Sequence, residues 1–243
     1  TMTQTAPTNL PPKDKPLTPT LARDGLTVRI GGVGGIGGIV ARYVAVFLAS
    51  LRCETRLYLI DDDVFERKNA ARMLFTDEGN KAELVRAELL EPLVDSQLSI
   101  IAIDQRITAD NIAELLPGGV NEVVLLCFDN HPARKLVSDY CEGRNGFPGV
   151  DDICLISGGN DGVGADSTGA VRRGSYGNVQ IYLRHGGVDL SPSLTKYHGE
   201  IDQAVSPETT DVPCTEVESV PQLLFTNLTA AAAICNMFWL YLC

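Results

Sequence analysis

The feature that most limits what this chain can fold into is the stretch Gly31 to Gly38, in which six of eight residues are glycine. It lies between a short apolar segment, Leu26-Thr27-Val28-Arg29-Ile30, and an apolar run from Ile39 to Leu51. The first reads as a buried strand and the second as a helix. A second strand, Arg56 to Ile60, ends in Asp61-Asp62-Asp63. Strand, helix and strand thus follow within about 35 residues, the length of a βαβ unit.

The rest of the chain extends that pattern. Helical periodicity returns over Asn80 to Leu93, with Ala82, Val85, Leu89 and Leu93 on one face, ahead of a strand at Leu98 to Ile103 and a helix near Ala109 to Leu116. Glu122 to Phe128 is a continuous apolar strand of the kind a parallel sheet buries on both faces, and it stops at Asp129-Asn130. A helix is predicted over Pro132 to Cys141, and strands over Ile153 to Ser157 and Asn178 to Arg184, with Gly158 to Gly177 as a loop between them. Pro221 to Leu242 reads as one long apolar helix or two. The expected fold class is α/β, a doubly wound, mostly parallel Rossmann-like sheet closed by C-terminal helices. Residues 1–24 carry five prolines among Thr and Lys and are expected to form a flexible arm, leaving 25–243 as a single domain.

Composition narrows the partners. Of the 243 residues 31 are acidic and 20 basic, a net charge of −11 that disfavours nucleic acid and anionic membranes. Seven cysteines without a C-x-x-C pair fit neither a disulfide framework nor a four-ligand zinc site, so no zinc and a reducing, cytoplasmic home are expected. The N-terminus lacks a signal pattern, and the apolar tail from Leu228 to Leu242 contains Asn236 and falls short of the roughly 20 residues of a membrane span, so a soluble chain is expected.

Gly32, Gly34, Gly35 and Gly37 form a G-x-G-G-x-G cluster that follows a strand and opens a helix. Backbone N–H groups and the helix dipole can there receive a phosphate with no Cβ in the way. Asp61 closes the second strand 24 residues after Gly37, near where an acid meets a ribose hydroxyl. Asp129 and Asn130 end an apolar strand, where open α/β sheets place ligands. Asp63 reads either as a ligand or as a loop cap. Taken singly, Arg72 and Lys81 would pass for surface charges, and His131, His185 and His198 for loop residues.

The order G-x-G-G-x-G, Asp-x-Asp, then Asn69 with Arg72 three later, Lys81, and a strand ending Asp129-Asn130 resembles the ubiquitin-activating (E1-like) and ThiF-type adenylyltransferases. The likeness covers roughly residues 26–141 and, more loosely, 205–240. It implies that the four glycines line the phosphates of ATP and that Asp61 holds the ribose. Asn69, Arg72 and Lys81 would contact the phosphates, and Asp129 would hold Mg²⁺. It also implies a crossover loop around 185–220, a homodimer, a ubiquitin-like protein whose C-terminal tail enters the ATP cleft, and a conjugating enzyme downstream. The compact chain looks like small bacterial members of ubiquitin-like conjugation systems, including antiviral ones. Three departures stand out: neither C-x-x-C motif of the sulfur-carrier activators is present, Met73 replaces a common Gln, and the N-terminal arm lacks the Arg-x-x-Arg-Gln segment by which a neighbouring subunit reaches ATP. Arg23 or Arg29 is the candidate substitute.

Such chemistry joins two anions, because a carboxylate oxygen attacks the α-phosphorus. Fixed cations must therefore neutralise the triphosphate, Arg72 as a fork and Lys81 as a point charge. Cys214 stands in a polar loop ahead of an apolar helix, whereas Cys127, Cys154 and Cys235 lie inside apolar runs and read as inert core. Cys214 is expected to accept the activated acyl group as a thioester, as the acceptor does in related enzymes, with a spectator cysteine as the alternative. The remaining alternatives are a sulfur-carrier-type adenylyltransferase that forms no thioester and a catalytically silent nucleotide-binding subunit.

Overall fold

The structure, a computed structural model, describes residues 25–51, 53–66, 75, 77–160, 163–165, 171–203 and 224–243. Its centre is a seven-stranded sheet. Strand β1 (Leu26–Gly31) leads through the glycine turn into helix α1 (Gly37–Ala49), and β2 (Thr55–Ile60) follows. A small pairing of β3 (Val64–Phe65) with β4 (Gly79–Asn80) precedes α2 (Lys81–Leu90) and β5 (Leu98–Ile103). Then come α3 (Ile112–Leu115), β6 (Glu122–Leu126), α4 (His131–Glu142) and β7 (Ile153–Asn160). The hairpin β8 (Val163–Ala165) and β9 (Val171–Arg173) leads to β10 (Gly177–His185) and β11 (Val188–Asp189). Two single-turn helices, α5 (Leu194–Tyr197) and α6 (Gly199–Asp202), and the long α7 (Leu224–Leu242) complete the described chain.

The strand order is β5-β2-β1-β6-β7-β10-β11, parallel from β5 to β7 and antiparallel beyond. β1 is central, with β2 and β6 on opposite sides, so the chain winds outward in both directions from it. Each face of the sheet has its own core. Val28 and Ile30 of β1 pack with Val40, Val44 and Leu48 of α1, Val85 and Leu89 of α2, and Ile234 and Phe238 of α7. On the other face Leu126 and Leu155 pack with Ile112, Val137, Tyr140, Leu194 and Ile201. This two-sided burial is why β6 carries no polar alternation: Val123 and Leu125 belong to the first core, Val124 and Leu126 to the second.

The doubly wound, mostly parallel α/β fold expected from the sequence is observed. One stretch differs. The expected loop from Gly158 to Gly177 contains the end of β7, the β8–β9 hairpin and the first residue of β10. Its glycines in β7 serve close packing rather than turning: a Cβ on Gly158 would stand 2.6 Å from Ile234 of α7, and one on Gly159 1.9 Å from the Arg134 guanidinium. By length and composition alone, α7 would suffice to cross a bilayer; one face of it, including Ala231, Ile234, Phe238 and Leu242, packs into the first core. The expected arm, residues 1–24, lies outside the described residues.

Candidate functional site

At the carboxyl edge of the sheet the chain leaves β1 through Gly32, whose φ of +85° is the left-handed region that favours glycine. A Cβ there would come within 2.9 Å of the Phe128 ring, and a Cβ on Gly37 within 1.8 Å of the Gly32 carbonyl oxygen. The turn is therefore closed by backbone against backbone. Gly34 and Gly35 occupy its outer bend, where the Gly38 N–H donates to the Gly34 carbonyl at 2.8 Å and starts α1. The Ile39 and Val40 N–H groups are likewise taken, by the Ile36 carbonyl at 3.0 Å, so the N–H groups that can meet an anion are those of the turn itself, from Gly34 to Gly37, where three of four residues carry no side chain.

Asp61 sits at the end of β2, 8% exposed. Its Oδ2 accepts the Val33 N–H of the glycine turn at 2.5 Å and its Oδ1 the Asp63 N–H at 2.8 Å. Burial pushes its pKa up to about 6, against the pull of the neighbouring Lys81 cation and those two N–H groups. Both oxygens keep a lone pair for a hydroxyl donor. Lys81, the first residue of α2, is 7% exposed; its Nζ reaches Asp63 Oδ2 at 2.7 Å and its N–H donates to the Asp63 carbonyl at 3.0 Å. Asp63 is thus the partner that aims Lys81. Asp62 faces outward to Arg106 at 2.8 Å.

On the other side of β1, Asp129 is exposed just past β6, and among the described residues no hydrogen bond or ion pair engages its carboxylate. An exposed carboxylate with no partner among the described residues fits a hard, largely hydrated cation such as Mg²⁺. Asn130, expected beside it as a ligand, caps α4 with its Oδ1, which accepts the Ala133 N–H at 2.8 Å. The structure therefore brings Gly32, Gly34, Gly35, Gly37, Asp61, Asp63 and Lys81 together at one edge, with Asp129 flanking the same turn. Asn69, Arg72 and Cys214 lie outside the described residues.

Arg29 does not serve as the missing arginine. It is buried in β1, bound to Glu122 at 2.7 Å and stacked over the Tyr58 ring at 4.1 Å, so its cation is consumed inside the sheet. Arg23 lies outside the described residues. The cysteines read as core are chemically quiet: burial pushes Cys127 and Cys141 up to about 12 and raises Cys154 and Cys235. His198 pairs with Glu200 at 2.9 Å and His185 with Asp152 at 2.5 Å; neither touches the turn in those contacts.

Three residues escaped the sequence reading. Asn80 caps α2 through Glu83 N–H at 3.1 Å and donates from its amide to the Asp61 carbonyl at 2.7 Å, fixing the strand end that carries Asp61. The spacing Asn80-x-x-Glu83 is a capping signature that could have revealed it. Phe128 lies against Gly31 and Gly32, and Arg134 holds the Phe128 carbonyl. Neither of these two has a local signal.

A glycine turn between a central parallel strand and a helix, with a buried acid closing the next strand, defines a nucleotide-binding doubly wound domain. The chain belongs to the ThiF family, whose match spans residues 23–224. It is 37% identical over 119 residues to "Adenylyltransferase and sulfurtransferase MOCS3" of Drosophila yakuba and 32% identical over 116 residues to that of Mus musculus. Both matches take in 47% of this chain and 24% of the relative, so the chain corresponds to about a quarter of their length. Among solved structures, E. coli MccB with ATP shares the fold with a TM-score of 0.56 at 20% identity, over 89% of this chain and 55% of that one. E. coli tRNA N6-threonylcarbamoyladenosine dehydratase, TcdA, with AMP does so with a TM-score of 0.50 at 17% identity, over 91% and 93%.

Proposed function

We propose that the chain is an ATP-dependent adenylyltransferase that activates the C-terminal carboxylate of a ubiquitin-like protein and then carries the acyl group on Cys214. The observation that supports this most is Asp61, held between the glycine turn and Asp63 with Lys81 beside it. That arrangement supports reading Asp61 as the ribose acceptor, the glycine turn as the phosphate cradle and Lys81 as a cation close to both. The MOCS3 relatives bear the name adenylyltransferase, and MccB, of the same fold, has been solved with ATP and with MccA.

In this reading the glycine turn and the start of α1 bind the phosphates, Asp61 accepts from the ribose, and Lys81 with Arg72 offsets the charge that builds as the carboxylate approaches. Mg²⁺, when bound, neutralises the leaving phosphates, with Asp129 as its protein ligand. The carboxylate oxygen bonds to the α-phosphorus as the α–β bridging bond breaks. Pyrophosphate takes the electron pair, and an acyl-adenylate remains. The Cys214 thiolate then attacks the acyl carbon and AMP departs. A homodimer and a downstream conjugating enzyme complete the proposal.

A second reading rests on the MOCS3 likeness: the acyl-adenylate passes directly to sulfur chemistry with no thioester on this chain. The experiment that separates them incubates the protein with MgATP and its cognate ubiquitin-like protein, following pyrophosphate exchange and a non-reducing gel. Exchange with an adduct that disappears in Cys214→Ala supports the thioester. Exchange without an adduct supports the second reading, and neither exchange nor ATP cleavage to AMP returns the chain to a silent nucleotide-binding subunit.

A further inference from the structure

Arg134, in the first turn of α4, is 6% exposed, yet among the described residues it makes no ion pair. Its guanidinium is held by carbonyls instead. Nε and Nη2 donate to the Phe128 oxygen at 3.0 and 2.7 Å, and Nη2 also donates to the Gly158 oxygen at 3.1 Å. Burying a cation on neutral acceptors alone is costly, and burial lowers its proton affinity here against the opposing pull of Cys127, Asp129 and Glu200. The surroundings are shaped for it. Gly159 leaves the space a Cβ would fill 1.9 Å from Nη2.

One carbonyl lies two residues past the end of β6 and the other in β7, its parallel neighbour. Phe128 immediately precedes Asp129, and Gly158 lies in β7, paired with β6 through Leu126 and Ser157. The fork therefore ties the backbone just before Asp129 to a strand that cannot shift without the whole sheet. A lysine's single point of attachment would leave that peptide free to rotate. Among the described residues no other side chain holds Asp129, and Asn130 spends its side-chain acceptor on capping α4.

We propose that Arg134 is a positioning residue for Asp129, fixing the direction in which that carboxylate leaves the sheet and hence where magnesium is held. This rests on the reading of Asp129 as the magnesium ligand. The test measures ATP affinity of the whole chain by calorimetry, with Mg²⁺ and with EDTA, for wild type, Asp129→Asn, Arg134→Lys, Gly159→Ala and each of the last two combined with Asp129→Asn. Gly159→Ala evicts the guanidinium without deleting it, against the end of a flexible side chain, and so carries the test if Arg134→Lys does not fold.

The expected result is that Arg134→Lys and Gly159→Ala each lose about tenfold of the magnesium-dependent gain in affinity, while affinity in EDTA stays within about twofold. Neither should lose more of that gain when combined with Asp129→Asn, because coupled residues are non-additive. A purely structural arginine would lower melting temperature and leave the magnesium-dependent gain intact. Folded variants that keep the full gain, while Asp129→Asn abolishes it, overturn the proposal. If Asp129→Asn keeps the gain, the magnesium reading falls first and the positioning role with it.

Discussion

Asp61 and Val33 stand 28 residues apart in the chain and 2.5 Å apart in space, a carboxylate oxygen accepting a backbone N–H of the glycine turn. That single bond makes the end of β2 part of the turn that follows β1. It also buries the acid, and burial sets its titration.

Asp61 titrates near pH 6 in the folded chain, above the ordinary carboxylate value of 3.8. The carboxylate form is the one that accepts from a ribose hydroxyl. ATP affinity should therefore hold above pH 6 and fall by about tenfold for each pH unit below it. The stability effect has the opposite sign. A raised folded pKa gives a contribution that is full below 3.8 and is lost as pH rises through 6, so acid weakens nucleotide binding without Asp61 driving unfolding. Titrating the dissociation constant and the melting temperature together from pH 5 to 8 separates the two.

Lys81 lowers the pKa of Asp61, so removing the cation should move that profile. In Lys81→Met the midpoint for ATP binding is expected above pH 6, and turnover at neutral pH should drop by about 100-fold through lost charge stabilisation. A pH profile of the variant that overlays the wild type would show that Lys81 does not act on Asp61.

The glycines of the turn should respond unequally. In Gly37→Ala the new Cβ meets the Gly32 backbone carbonyl oxygen at 1.8 Å, an atom that cannot swing aside. The expected cost is about 2 kcal/mol, read as a fall of roughly 4–8 °C in Tm, along with loss of ATP binding. Gly38→Ala meets the end of the Arg42 side chain at 3.2 Å and the Val33 carbonyl oxygen at an ordinary 3.5 Å, inside a helix where alanine is favoured, and should be neutral or stabilising. Thermal melts of both variants check the contrast.

Thiol reactivity should follow burial. Cys127, Cys141 and Cys154 are fully enclosed and held as thiols, so brief alkylation near neutral pH should leave them unmodified while Cys243, exposed at the end of α7, is labelled. Peptide mass spectrometry after a short exposure gives the answer, and early labelling of Cys127 would contradict the packing of β6 against the glycine turn.

The parts of the fold that were legible in the sequence were those whose periodicity is local. Leu26 to Ile30, the apolar run after Gly38 and Glu122 to Phe128 each announce themselves because burial on a central strand or helix removes polar alternation. The stretch from Gly158 to Gly177 misled because glycine ordinarily marks turns, whereas Gly158 and Gly159 make room for Ile234 and Arg134, partners from distant parts of the chain. The same logic governs the site. The glycine cluster and Asp61 follow a spacing that strand and helix lengths impose. For Asn130 the sequence marked the strand end, and the contact with Ala133 adds the cap of α4. Arg134 acts through carbonyls, which every residue possesses, so no pattern of side chains discloses it.

The central claim is that the glycine turn and Asp61 together receive the nucleotide. The most direct measurement is a calorimetric titration of the whole chain with MgATP, wild type beside Asp61→Asn, at pH 7.5. The account predicts one saturable site in the wild type and affinity at least about tenfold weaker in the variant. Equal affinity in the two proteins, or no heat of binding in the wild type, would contradict it.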